Sequence, residues 1–141
     1  MNATVLYRIA AVLLVLFAAG HTLGFLKFVP GSEEGIAVRD AMNAVQFEFK
    51  GSKYSYGNFY RGFGLTITAY LLFSAFLAWH LADIAASQPQ AIGYLGWAFV
   101  LVQVVCVGLS IAYFFLLPAI LSAVVVICLA GAAWLLRSGA T

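Results

Sequence analysis

His21 has more chemistry to offer than any other single side chain in this 141-residue sequence. An imidazole changes charge near neutral pH and can pass a proton in either direction. Inside an apolar helix such a group is costly, and it marks either a bond to a neighbouring helix or a functional site. Gly20 and Gly24 flank it in a G-x-x-x-G pair, a spacing that lets a second helix approach closely. A second polar group, Tyr56, Asn58, Tyr60 and Arg61, leads into the next long apolar run. Helix two enters from the same side as the end of helix one, so His21, Tyr56, Asn58, Tyr60 and Arg61 form the candidate ligand-binding set. Within it His21 is the best candidate for acid–base catalysis. Each residue also has a plainer role: aromatic residues at a helix start form an interfacial belt, and His21 serves equally as a structural hydrogen-bonding residue.

Other chemistries lack their residues. His80 follows Trp79 near the far end of helix two, an interfacial position. It differs in depth from His21 by roughly 20 Å at the helical rise, whereas two nitrogen ligands of one metal stand only about 4 Å apart at bonds near 2 Å. A haem shared by both is therefore excluded within one chain. Cys106 and Cys128 make no C-x-x-C and read as small buried apolar residues. No metal-ligand spacing is present, and neither a metal nor a cofactor is expected. Gln103 and Ser110 share one face of helix three, and Thr66, Thr68 and Ser74 dot helix two; such groups bond between helices. No helix interior contains Asp or Glu, which counts against a proton-coupled transporter. Phosphate-loop, nucleophile-elbow and H-E-x-x-H patterns are absent.

The elements that hold these residues follow from composition. Apolar residues make up 65% of the chain and charged ones only 9%, against about 25% charged in soluble domains. A net charge of +2, thinly spread, excludes a nucleic-acid reader. Of the charged residues, all but Arg8, Asp83 and Arg137 lie between Lys27 and Arg61. Crossing the hydrocarbon core takes about 20 mostly apolar residues. Residues 9–26 and 62–82 qualify, and 91–136 is about twice too long for one crossing. Pro118 marks where that run turns back, because proline fits the first turn of a helix and not its interior. The expected fold is all-α: an integral membrane four-helix bundle forming one transmembrane domain over 1–141. Its helices lie near 5–28, 59–84, 91–115 and 118–137, and both termini are on one side. Arg8, an apolar core and Ala18-Ala19-Gly20 imitate a signal peptide, but apolar character continues through Leu23, Phe25 and Leu26, and the segment is read as a retained helix. Lys27, Arg39, Lys50, Lys53 and Arg61 against Arg8 and Arg137 favour a cytoplasmic first loop.

That loop, about 28–60, is too long for a simple connector. After Pro30-Gly31, Ser32 suits a helix cap and Glu33 and Glu34 suit its positive end. Val38, Ala41, Met42, Val45 and Phe49 recur at helical spacing, predicting a short amphipathic helix over 33–49 that rests on lipid headgroups or roofs a pocket.

The strings Gly20-His21-Thr22-Leu23-Gly24-Phe25 and Phe59-Tyr60-Arg61-Gly62-Phe63-Gly64 resemble a family of small bacterial four-helix membrane proteins of no established activity. The resemblance covers most of the chain through helix two and is architectural beyond it; the layout is also similar to DoxX-like proteins. It implies a multi-pass protein of the bacterial inner membrane and transfers no functional residue. The expected partners are the lipid bilayer and a hydrophobic small molecule, lipid-like or an isoprenoid or quinone, bound near the first-loop face. The alternatives are a non-enzymatic accessory or assembly subunit, docked to a second copy or to another membrane protein through its charge-free last hairpin, and a small transporter or channel. Nucleic acid is not an expected partner.

Overall fold

The computed structural model describes residues 2–139. Its elements run α1 (Ala3–Lys27), α2 (Glu33–Ala44), β1 (Gln46–Phe49), β2 (Ser52–Ser55), α3 (Tyr56–Ser87), a 3-10 turn (Pro89–Ile92), α4 (Leu95–Tyr113) and α5 (Leu116–Ser138). The fold is all-α with one small hairpin. α1, α3, α4 and α5 are each long and apolar enough to cross a membrane, which makes this a multi-pass membrane protein. Large apolar side chains such as Leu16, Phe76, Ile111 and Ile127 stand more than half exposed on these helices, a surface suited to lipid rather than water.

The chain forms two compact units, with the breaks falling inside α1 and α3. One is Met1–Phe17 with Leu71–Thr141; the other is Ala18–Tyr70. The first unit is a bundle of the α1 start, the α3 end, α4 and α5. Its core is made largely of small residues, among them Ala10, Ala78, Ala82 and Ala132, with Leu14, Leu81 and Leu129 filling between them. Small side chains let helix backbones approach, the main source of association where no water drives it. Tyr7 is fully buried, and its hydroxyl has no hydrogen-bond partner among the described residues. It stands where a β-carbon on Gly96 would fall, 2.8 Å away, so α1 and α4 meet through the missing side chain. Gln103 and Ser110 are both buried on α4, as their shared face predicts. Arg8 pairs with Asp83 at 3.5 Å and lies over the Trp79 ring. α5 begins at Leu116, so Pro118 falls in its first turn, where no N–H is needed.

The second unit holds the end of α1, α2, the hairpin and the start of α3. Ser32 caps α2, its hydroxyl accepting the Gly35 N–H at 3.1 Å. The helix ends at Ala44, not near residue 49 as its spacing predicts. Gln46-Phe47-Glu48-Phe49 alternates with period two as well as matching a helix, and β2 offers it a partner. Phe47 faces Tyr54 and Glu48 faces Lys53 across the ladder. Lys50 and Gly51 both have positive φ, 50° and 80°, which is the backbone of the tight turn that matches strand twist. Ser55 then accepts the Asn58 N–H at 3.1 Å and starts α3.

Candidate functional site

The second unit contains a cleft of about 1130 Å³. The end of α1 contributes Phe25, Leu26 and Lys27, and Phe28, Val29 and Pro30 follow as α1 gives way to the connector. α2 contributes Gly35, Val38, Arg39 and Met42, which lie at i, i+3, i+4 and i+7 and so form one face, with Asn43 beside them. The start of α3 closes the cleft with Gly57, Tyr60 and Arg61. α2 therefore covers one side of the cleft, with Val38 and Met42 of the predicted apolar stripe beside Arg39 and Asn43, while Ala41, Val45 and Phe49 do not line it. Two close approaches hold the walls. A β-carbon on Gly57 would overlap the Asn43 side chain, and one on Gly35 would meet the Pro30 ring at 2.7 Å.

A set of bonds between α1 and α3 stands beside the cleft. His21 Nε2 lies 3.1 Å from the Gly64 carbonyl oxygen. A carbonyl only accepts, so Nε2 bears the proton and donates it. The next residue, Thr22, has its hydroxyl 2.9 Å from that of Thr68, which lies one turn beyond Gly64 on α3. Thr22 also reaches the Ala18 carbonyl at 2.7 Å and Thr68 the Gly64 carbonyl at 3.3 Å. Each hydroxyl has one proton, so one of them bonds its own helix while the other bridges. The His21 ring stacks on Phe25, with centroids 5.8 Å apart and planes 4° from parallel. Phe25 in turn touches Tyr60 and fills the space a side chain on Gly64 would need. The close-approach glycine is thus Gly64 on α3. Gly20 and Gly24 have nothing within 4 Å of an added β-carbon, so the G-x-x-x-G expectation fails at these positions.

Of the residues singled out in the sequence, Tyr60 and Arg61 line the cleft. His21 reaches it only through Phe25. Tyr56 packs on Phe47 at 5.0 Å, within an aromatic cluster that continues through Phe59 to Phe63. Asn58 is exposed, and its backbone serves the cap of α3. Lys27, Arg39, Met42 and Asn43 were missed as site residues. The helical period of α2 places Arg39 and Met42 on one face, but nothing in the spacing says which face turns inward.

Electrostatically the cleft is one-sided. Lys27, Arg39 and Arg61 line it and no carboxylate does. Arg39 is half-buried and contacts the exposed Asp40 at 3.4 Å, a surface pair worth little. The Glu34 carboxyl, outside the cleft, is held below its ordinary pKa first by its own backbone N–H and then by the Ser32 hydroxyl. No group of three or more His, Cys, Asp or Glu side chains among the described residues is placed to hold a metal. Cys106 and Cys128 are not joined in a disulfide. No protein-family model, curated protein or solved structure matches the chain.

Proposed function

We propose that the protein binds a hydrophobic small molecule, lipid-like or of the isoprenoid or quinone kind, in the cleft between the α1 end, α2 and the α3 start. The observation that carries this reading is the cleft itself. Its volume, about 1130 Å³, is just above the usual span for ligand sites, about 300–1,000 Å³. Its wall is apolar along Phe25, Phe28, Val38 and Met42, with polar groups limited to Asn43, Tyr60 and the three cations. In the reading proposed here the chain of the ligand lies on the apolar wall and its polar end meets Tyr60 and Arg61. His21 positions Phe25 from behind. The protein sits in a bacterial inner membrane with this face cytoplasmic, a placement supported by the excess of Lys and Arg in the first loop and by the resemblance of its two glycine–aromatic strings.

Native mass spectrometry of protein released in mild detergent tests the reading. One stoichiometric copurifying lipid, quinone or isoprenoid, lost when Met42→Trp fills the cleft in a folded protein, is the expected outcome. Protein that is empty, or that holds the same bulk phospholipid with and without the substitution, contradicts it.

A further inference from the structure

The cleft's charge narrows its ligand further, an inference that rests on the binding reading above. Residues 18–70 contain five cations, Lys27, Arg39, Lys50, Lys53 and Arg61, and four carboxylates, Glu33, Glu34, Asp40 and Glu48. By count they nearly cancel. By position they do not, because three of the cations line the cleft and none of the carboxylates does. The carboxylates stand outside it: Asp40 contacts Arg39 at 3.4 Å as an exposed pair, worth little, Glu48 faces Lys53 across the hairpin, and Glu33 and Glu34 occupy the first turn of α2, the end where negative charge is stabilised.

A neutral quinone or isoprenoid alcohol offers these cations a hydrogen-bond acceptor but no charge to balance theirs. A carboxylate offers two oxygens and one charge, which a single guanidinium already matches. A phosphate group offers more oxygens and up to two charges, and guanidinium and ammonium groups are its usual protein partners. An apolar wall beside three cations, of which only Arg39 touches a carboxylate among the described residues, is complementary to a molecule with a hydrocarbon chain and a phosphate end. We infer that the ligand is a membrane lipid with an anionic phosphate headgroup, the headgroup held by Lys27, Arg39 and Arg61 and the chain lying along Phe25, Val38 and Met42.

The test uses the purified full chain in neutral detergent, titrated by native mass spectrometry with phosphatidic acid and phosphatidylcholine of identical acyl chains. Phosphatidic acid is expected to bind at least about tenfold more tightly, a difference near 1.4 kcal/mol. Arg39→Gln and Arg61→Gln each reduce that preference, and together with Lys27→Gln they bring the two lipids to parity. Lys50→Gln and Lys53→Gln, cations of equal charge outside the cleft, leave the preference in place. Millimolar inorganic phosphate does not displace the lipid. Equal binding of both lipids overturns the inference, as does a preference lost equally on changing Lys50 and Lys53. Displacement by inorganic phosphate also overturns it, because the site would then select a free anion. The cleft reading has its own control. If Met42→Trp abolishes binding of both lipids and the two bind equally, the cleft stands and the anionic headgroup falls. If Met42→Trp changes neither, the cleft reading itself falls.

Discussion

The two compact units solve helix association differently. In the unit of residues 1–17 and 71–141, alanine, leucine and valine make a closed core, and nearly every fully buried apolar side chain of the molecule belongs to it. In the unit of residues 18–70, Ala18 is the only buried apolar side chain. That unit is held by directional contacts instead: the His21 and Thr22 bonds to α3, the Ser32 and Ser55 caps, the hairpin ladder and a line of aromatic rings. The unit with the closed core carries a smaller cleft of about 360 Å³, beside Trp97 at the start of α4 and Arg137 near the end of α5. A unit built from a few bonds around its edges keeps an apolar wall uncovered, and that is where the larger cleft lies. The difference teaches that the scaffold and the site can be told apart by what joins their helices.

The sharpest way to break the comparison is Gly96→Ala. Its new methyl group would stand 2.8 Å from the fully buried Tyr7 hydroxyl, so one of the two must shift. Overpacking of this kind costs about 1–3 kcal/mol, so a clear drop in thermal midpoint in detergent is expected. Adding Tyr7→Phe removes the clashing oxygen and should restore most of the loss; because that hydroxyl has no partner, Tyr7→Phe alone should cost nothing. Two additive losses would show that the helices do not meet through Tyr7 and Gly96.

His21→Ala should act more weakly and only locally. It removes one hydrogen bond to a backbone carbonyl, about 1 kcal/mol. Hydrogen exchange should quicken in residues 18–27 and 56–70 while α4 and α5 keep their protection. Faster exchange throughout α4 and α5 would erase the distinction between the two units.

The smallest effect concerns α2. Ionised Glu34 is favoured in the folded helix because its own N–H and Ser32 lower its pKa. The group's folded pKa is depressed, so its contribution is present above the ordinary carboxylate range and is lost as pH falls through that range toward the lowered value. Exchange in α2 should rise slightly over that interval, and Ser32→Ala should flatten the dependence. A pH response unchanged in Ser32→Ala would mean the cap does not act through Glu34.

Much of this was legible in the sequence. The apolar runs locate all four spans, and Pro118 locates the last turn, because length and proline chemistry act through the chain alone. Ser32 likewise announces its cap. What escaped was decided by partners distant in sequence. Residues 46–49 satisfy a helical and an alternating pattern equally, and only pairing with 52–55 selects the strand. Gly20 and Gly24 have the spacing of a helix contact, yet Gly64 makes it, because the Phe25 ring lies against α3 at that point. Tyr60 and Arg61 were identified as site residues since they stand at the start of α3. Arg39 and Met42 were not, because an amphipathic period gives a face without saying what it meets.

The central claim is that lipid enters the cleft specifically, and photocrosslinking tests it most directly. A phospholipid bearing a diazirine on its acyl chain would be incorporated into membranes with the protein, activated by light, and its adducts mapped by peptide mass spectrometry. Adducts concentrated on Phe28, Val38 and Met42, and competed by unlabelled lipid, are the predicted result. Adducts spread without saturation over Ile111, Ile127 and the other exposed faces of α4 and α5, with none enriched at the cleft, would contradict the account.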